Sequence, residues 1–198
     1  GKALPINYST YISQFQTITS ADFAVNVSRS ASRLKSVFVS FDGEHNNSST
    51  NHIVHRNMNT FVHPMCGAGY VSGDYSYNNE LQWQIQIGSK MFPEYPVRSL
   101  AETFYQLKKA LGIHGSAFHS ISLTPQQYRN DHFIIGIDTE KILEAGFTGL
   151  NTRAGDLMIG RGKYANSNAL SAWANSVYVV MHTDQILEIR DTGSQVFD

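Results

Sequence analysis

Apolar and polar residues alternate along several short stretches of this chain, which is the pattern of β-strands with one buried face. The clearest stretch is LQWQIQI (81–87), where Leu81, Trp83, Ile85 and Ile87 alternate with three glutamines. Successive side chains of a strand point to opposite faces, so these apolar residues predict one wall of a core. The glutamine face suits contact with solvent or with another protein, because an amide costs less to desolvate than a charge.

The same alternation recurs near both ends of the chain. The first 30 residues have an extended pattern without a helical stripe, and SVFVSF (36–41) is a predicted strand. Near the C-terminus, SVYVVMH (176–182), QILEIRD (185–191) and SQVFD (194–198) predict three further strands.

One helix is predicted, at Ser99–Leu111. It begins with an S-x-x-E capping box, formed by Ser99 and Glu102, and a glycine follows its last residue. Pro93 and Pro96 precede it and predict an extended entry loop. The apolar positions at helical spacing are Leu100, Phe104, Leu107 and Leu111.

Short strands, turn signals between them and a single helix predict an all-β protein. We expect a jelly-roll β-sandwich, in which two antiparallel sheets face each other and the helix lies at one end or edge. No internal repeat or long linker interrupts residues 1–198, which therefore predict one domain. The glycines of IGRGKY (159–164) are interpreted as a hairpin-like turn, because Tyr164 follows Lys163 where a phosphate-binding loop needs Ser or Thr.

The low content and near balance of charged residues argue against some classes of function. Charged residues make up 16% of the chain and the net charge is −1, so the excess of basic residues that phosphate binding needs is missing. Nucleic-acid binding is therefore not expected as the main role. No apolar run approaches the roughly 18 residues of a membrane span. A single cysteine, Cys66, excludes an intrachain disulfide and fits assembly in a reducing compartment.

A candidate metal site has the spacing H-x2-H-x7-H-x2-C and consists of His52, His55, His63 and Cys66. Imidazole and thiolate are zinc ligands, and paired ligands can clamp one ion. The alternative interpretation is an Asn-rich loop with exposed histidines and a small buried cysteine. The second pair matches no common zinc-finger spacing, so no metal and no cofactor is predicted.

Two groups of carboxylates are candidate acid–base pairs. Asp138 and Glu140 share one face of a predicted strand, and Asp184, Glu188 and Asp191 follow later. Neighbouring cations, such as Arg190 beside Asp191, favour exposed ion pairs instead. No nucleophile motif is present. We therefore predict no catalytic residue and no enzymatic activity.

An aromatic segment, GYVSGDYSYNN (69–79), offers a different kind of site. Its tyrosines suit either a sugar-stacking or protein-binding surface or the packing of one edge of the sandwich. The residues concerned are Tyr70, Tyr75, Tyr77, Asn78 and Asn79.

Five segments in this order resemble the C-terminal part of the double jelly-roll major capsid proteins of Polinton-like viruses, adintoviruses and virophages. The segments are SRSASRLKSVFVSF (28–41), FPEYPVRSLAETFYQLKKALG (92–112), FIIGIDTEK (133–141), FTGLNTRAGDL (147–157) and VYVVMHTDQILEIRDTGSQVFD (177–198). The closing stretch is the most specific of them.

This resemblance implies a capsid subunit with two jelly rolls, three copies of which form a pseudo-hexameric capsomer of an icosahedral shell. At 198 residues the chain is long enough for one jelly roll. It is therefore expected to be the C-terminal half of such a protein or a single jelly-roll relative. Self-association, contacts with other capsid proteins, and a place in a virion assembled inside the host cell follow as expectations.

Two alternatives remain open because jelly rolls host many roles. A lectin-like carbohydrate-binding module would use Tyr75 and Tyr77 with the neighbouring asparagines. A metal-dependent enzyme would use His52, His55 and His63.

Overall fold

The computed structural model of the chain describes residues 3–42, 61, 63, 64, 81–130, 132–139, 150–152, 157–164 and 176–197. Nine strands and two helices lie within these ranges. The strands are β1 (Leu4–Thr17), β2 (Asp22–Val27), β3 (Leu34–Asp42), β4 (Leu81–Ile87), β5 (Lys90–Val97), β6 (Ile135–Asp138), β7 (Met158–Tyr164), β8 (Ser176–Arg190) and β9 (Gly193–Phe197), and the helices are α1 (Leu100–Ala110) and α2 (Pro125–Asn130).

The strands form two antiparallel sheets. The first has the order β1-β8-β3-β6, with β9 also paired to β8, and the second has the order β2-β7-β4-β5. Strands pair as β1 with β8, β2 with β7, β3 with β6 and β4 with β5. This nested pairing is that of one long hairpin wrapped into a sandwich, which is a jelly roll. The predicted fold class is confirmed.

The core lies between the two sheets. In β4 the predicted residues Leu81, Trp83, Ile85 and Ile87 are all buried. The facing wall of the first sheet includes Val37, Val39 and Phe41 of β3, as the alternation predicted. An aromatic cluster fills one part of this interior, and its members are Phe23, Phe41, Trp83 and Tyr164.

On the glutamine face of β4, Gln84 is buried and Gln82 and Gln86 are half-buried. Gln84 donates hydrogen bonds from Nε2 to the carbonyl oxygens of Pro93 (2.8 Å) and Glu94 (3.1 Å). Gln86 accepts a hydrogen bond from Nε of Arg161 at 2.8 Å. The side-chain amides therefore fasten β4 to β5 and β7 on the outer side of the second sheet.

Helix α1 agrees closely with the prediction. Ser99 is its N-cap, and the Ser99 Oγ accepts a hydrogen bond from the Glu102 backbone N–H at 3.1 Å. The reciprocal contact differs from a standard capping box, because the Glu102 carboxylate accepts from the Arg98 N–H. Leu107 is buried over Gly136 of the edge strand β6, so the helix covers one edge of the outer face of the first sheet. Leu111 remains exposed.

Several predicted boundaries were wrong. Residues 159–164 are not a turn but belong to β7, which pairs with both β2 and β4. Residues 176–182 and 185–191 do not form two strands, because β8 runs unbroken through both segments. Pro93 and Pro96 lie within β5 and not in a loop. A strand at the edge of a sheet tolerates proline, because its outward N–H groups have no ladder partner.

Candidate functional site

The outer face of the first sheet carries an aromatic strip, which we define as Tyr11, Phe15, Tyr178 and His182. Odd-numbered residues of β1 point outward, and the register places Tyr11 beside His182 and Phe15 beside Tyr178. The rings of Tyr11 and His182 are stacked with centroids 4.7 Å apart, and those of Phe15 and Tyr178 lie 5.0 Å apart. Tyr11 is 64% exposed and Phe15 is 54% exposed. Such a concentration of exposed rings is typical of an interaction surface.

A polar network borders the aromatic strip. The Asp184 carboxylate accepts a hydrogen bond from Ser9 Oγ at 2.6 Å and lies 3.6 Å from the Lys35 ammonium. Ser36 Oγ lies 3.3 Å from Nδ1 of His182. Ser, His and Asp thus lie close together here, but Ser36 is buried, so its hydroxyl is not accessible as a nucleophile. The network joins β1, β8 and β3.

Burial and the nearby Lys35 lower the pKa of His182, while Asp184 partly opposes this effect. The neutral ring is therefore favoured at neutral pH. A neutral imidazole stacked on a phenol ring keeps the aromatic strip without formal charge.

Beyond the sandwich, the first sheet continues as a β-extension, which we define as residues 4–8 of β1, 185–190 of β8 and 193–197 of β9. In this part β9 takes the place of β3 beside β8. Tyr8, Gln185 and Ser194 lie on the core-facing side of this part of the sheet, and the other five side chains on that side are apolar. They are Leu4, Ile6, Leu187, Ile189 and Val196, which the register sets side by side.

This apolar face of the β-extension is largely open. Leu4 is 59% exposed and Val196 is 51% exposed, and Ile6 and Ile189 are also exposed. Ile12 of β1 packs against the core, whereas Leu4 and Ile6 are exposed in the part of the chain that the structure describes. A one-layer sheet with an open apolar face is typical of a surface that another molecule covers.

The proposed metal ligands are only partly described. His63 is buried against Phe133, with ring centroids 4.3 Å apart, and its backbone N–H donates to the Arg129 carbonyl. Burial and the Arg129 charge lower the pKa of His63 to about 3. His52, His55 and Cys66 lie outside the described residues, so the metal hypothesis stays untested. Within the described ranges, no three His, Cys, Asp or Glu side chains are grouped to hold a metal ion.

The carboxylates are dispersed over separate contacts. Asp138 ends β6 and is half-buried, whereas Glu140 lies outside the described residues. Glu188 accepts a hydrogen bond from Arg190 at 2.6 Å, so Arg190 pairs with Glu188 and not with the expected Asp191. Neither group forms an acid–base couple among the described residues.

The tyrosine segment 69–79 lies outside the described residues, so the roles of Tyr70, Tyr75, Tyr77, Asn78 and Asn79 stay predictions. No transmembrane segment can be assigned to either helix in the described part of the chain, since neither has the required length and apolar character.

Sequence reasoning missed both exposed surfaces. The segment YSTYISQFQT (8–17) places aromatic residues on both faces of β1, so its pattern does not reveal which ring points outward. The β-extension was hidden because its apolar alternation is indistinguishable from that of a buried strand. The pairing of β8 with β9 in the structure shows that the first sheet continues beyond the residues of β8 that pair with β3.

No protein-family model matches the chain, and no curated protein is a significant match. Three viral capsid structures are among the solved structures with a similar fold. One is VP54 of the virus PBCV-1, from a crystal structure fitted into a cryo-EM reconstruction of the virophage Sputnik, with a TM-score of 0.52, 11% identity and coverage of 98% of this chain and 51% of that chain. Another is a quasi-atomic model of the PBCV-1 virus capsid, with a TM-score of 0.49, 12% identity and coverage of 98% of this chain and 51% of that chain. The third is a cryo-EM structure of the Sputnik virophage, with a TM-score of 0.48, 10% identity and coverage of 98% of this chain and 38% of that chain.

The likeness to VP54 extends over nearly the whole chain, although the chain spans only about half the length of VP54. VP54 is a major capsid protein. The comparison confirms the jelly-roll fold that the resemblance implies.

Proposed function

We propose that this chain is a structural protein of a viral capsid, whose role is to build a shell and not to catalyse a reaction. The main observation behind this proposal is the jelly-roll fold, which resembles that of VP54 over 98% of this chain with a TM-score of 0.52. Fold alone does not assign function. The exposed, uncharged β surfaces add independent support, because they are suited to contact with other proteins.

The finer proposal concerns the assembly. We propose that the chain is one jelly roll, the C-terminal half, of a double jelly-roll subunit, and that three subunits form a pseudo-hexameric capsomer. The match to about half of VP54 supports this division. The partners would be further copies and other capsid proteins, within a virion assembled inside the host cell.

Association in solution tests the proposed function. The purified chain is examined by analytical ultracentrifugation over a range of concentrations and by negative-stain electron microscopy. We expect the mass to rise with concentration towards a trimer, and regular particles to form at high concentration. A chain that stays monomeric and forms no regular particles would contradict a shell-building role.

A carbohydrate-binding module is a second candidate, and one observation favours it. The exposed Tyr11 ring lies on the same outward face of β1 as Ser9, whose hydroxyl donates to Asp184, and an exposed ring beside polar groups suits sugar stacking. Glycan-array screening of the chain and of Tyr11→Ala tests it. A glycan bound by the chain and lost in the variant would support this function over shell building.

A further inference from the structure

We propose that the loop at residues 112–124 binds the surface of an anionic phospholipid bilayer, with the ring of Phe118 inserted among the lipid headgroups. The contact is a property of the single chain and goes beyond the proposed function without depending on it. Three observations support the assignment: the ordered shape of the loop, the exposure of Phe118 and the charges beside the loop.

The loop joins α1 to α2 and contains neither helix nor strand. A connection of this length without secondary structure is uncommon in a compact domain, and it is usually functional. None of its residues is buried, although Ile113, Ile121 and Leu123 are half-buried and Leu123 packs against the core. The loop therefore lies on the surface and is fixed to the sandwich near its C-terminal end.

Hydrogen bonds within the loop hold the backbone at Phe118. Ser116 Oγ accepts hydrogen bonds from the N–H groups of Phe118 at 3.2 Å and His119 at 2.9 Å. The Ser116 N–H donates to the Ile113 carbonyl at 3.2 Å. Because the backbone is ordered before any contact is made, binding through Phe118 costs less conformational entropy than binding through a flexible segment.

The exposure of Phe118 favours a lipid layer over a protein partner. At 94%, it is the highest exposure of any large apolar side chain in the described part of the chain. A phenylalanine side chain contributes about 200 Å² of contact area. Each partner in a specific protein interface buries about 800 Å². A single ring is therefore too small for such an interface, whereas it can enter a deformable bilayer without a matching pocket.

The charges beside the loop favour an anionic surface. Residues 103–130 contain no Asp or Glu, and Lys108 and Lys109 lie in the last turn of α1, which leads into the loop. Neither lysine has an ion-pair partner among the described residues, and the Lys108 ammonium lies 5.2 Å from the centroid of the Phe104 ring. Apolar and aromatic side chains beside lysines are typical of segments that lie at the surface of anionic membranes.

The expected affinity of one chain is weak. One ring and two lysines correspond to half-binding at about 1 mM accessible lipid. Several copies held together would bind more tightly than one, because their contacts act at a high effective concentration. Nucleic acid also has an anionic surface, but its binding draws on several phosphate contacts, and two lysines supply few of them.

Co-flotation of the purified chain with vesicles tests the contact. The vesicles contain phosphatidylcholine alone or with a rising proportion of phosphatidylserine. Phe118→Ala and Lys109→Gln alter the proposed contact. The matched controls are Tyr95→Ala, which removes a ring that is 78% exposed on β5, and Lys90→Gln, which removes an exposed lysine at the start of β5. Circular dichroism and thermal unfolding verify that each variant is folded.

We expect binding to increase with the phosphatidylserine content. Phe118→Ala should weaken it at least about tenfold, because the buried ring is lost. Lys109→Gln should weaken it about fivefold, and both controls should bind as the unmodified chain does. Phe118→Trp should retain binding, because tryptophan is favoured at membrane interfaces. The fluorescence of the added tryptophan should be quenched by lipids with brominated acyl chains.

Three results would overturn the contact. The first is no binding to phosphatidylserine vesicles at millimolar lipid. The second is equal binding of Phe118→Ala and the unmodified chain, which would indicate adsorption by charge alone. The third is tighter, Phe118-dependent binding to a single-stranded DNA oligonucleotide, which would assign the loop to nucleic acid. Sedimentation without vesicles tests the shell-building proposal separately, so the failure of one proposal does not decide the other.

Discussion

Two glycines of β7 have a specific packing role at the residue scale. A Cβ added at Gly160 would lie 2.8 Å from the Trp83 ring, and one added at Gly162 would overlap the Phe23 ring. The missing side chains therefore make room for two large rings of the core.

We predict that Gly162→Ala lowers the free energy of unfolding by about 2 kcal/mol, because overpacking forces a core ring to move. Gly115→Ala is the matched control, since nothing lies within 4 Å of a Cβ there. Urea unfolding followed by tryptophan fluorescence measures both variants. Equal stability of the two variants would show that the Phe23 ring yields without cost.

His63 predicts a pH dependence of stability. Its pKa is about 3 in the folded chain and 6.5 when unfolded, so below pH 6.5 the unfolded chain binds a proton that the folded chain excludes. Stability therefore falls as the pH falls from 6.5 towards 3, by at most about 1.4 kcal/mol per pH unit from this group.

The measurement is urea unfolding at pH 7, 6, 5 and 4. His63→Gln should show a shallower decline than the unmodified chain, whereas the exposed His114→Gln should follow the unmodified chain. An unchanged decline in His63→Gln would mean that other groups dominate the acid sensitivity.

The predicted turn at residues 159–164, which belong to β7, was wrong for a physical reason. Glycine favours turns, and two glycines within four residues suggested one. Their actual cause is the close approach of Trp83 and Phe23, which come from distant parts of the chain. Local pattern does not contain that information.

At the scale of elements, α1 was the most predictable part of the chain. Its start and its end are encoded locally, by Ser99 and by Gly112. The Gly112 N–H donates to the Lys109 carbonyl and the Ile113 N–H to the Lys108 carbonyl, which together form a Schellman motif. Gly112 has a φ of 68°, a conformation that glycine adopts readily.

We predict that Ser99→Ala lowers the free energy of unfolding by about 1 kcal/mol, because the Glu102 N–H loses its acceptor. The exposed turn residue Ser89→Ala serves as the control. Chemical denaturation of both variants provides the comparison. A loss in Ser99→Ala no larger than in Ser89→Ala would show that water replaces the cap.

Strand ends were less predictable than helix ends. Val177, Val179 and Met181 of β8 are buried, while Ile189 of the same strand is exposed. Alternation reports which residues share a face, but it does not report whether a second sheet covers that face. The segment after Pro125 gave no sign of α2, because six residues are too few for a helical stripe.

At the scale of the whole molecule, the sandwich class followed from alternation alone. The nested pairing did not, because β1 and β8 are separated by most of the chain and their register depends on the complete core. The sequence-based resemblance to capsid proteins identified the fold without showing where its exposed surfaces lie. Those surfaces became visible only when the two sheets were seen to differ in length along the strands.

The distribution of charge leads to a last prediction, about salt. The chain has a net charge of −1, and the aromatic strip and the apolar residues of the β-extension, the exposed surfaces through which self-association is expected, bear no formal charge at neutral pH. Screening acts on charges, so the dissociation constant of self-association should change by less than about twofold between low salt and physiological ionic strength. Sulfate should strengthen association, because it favours burial of apolar surface.

Sedimentation at several salt concentrations measures this dependence. A steep loss of affinity with salt in the unmodified chain would show that charged groups elsewhere hold the copies together. The apolar face of the β-extension and the aromatic strip would then have to serve different partners.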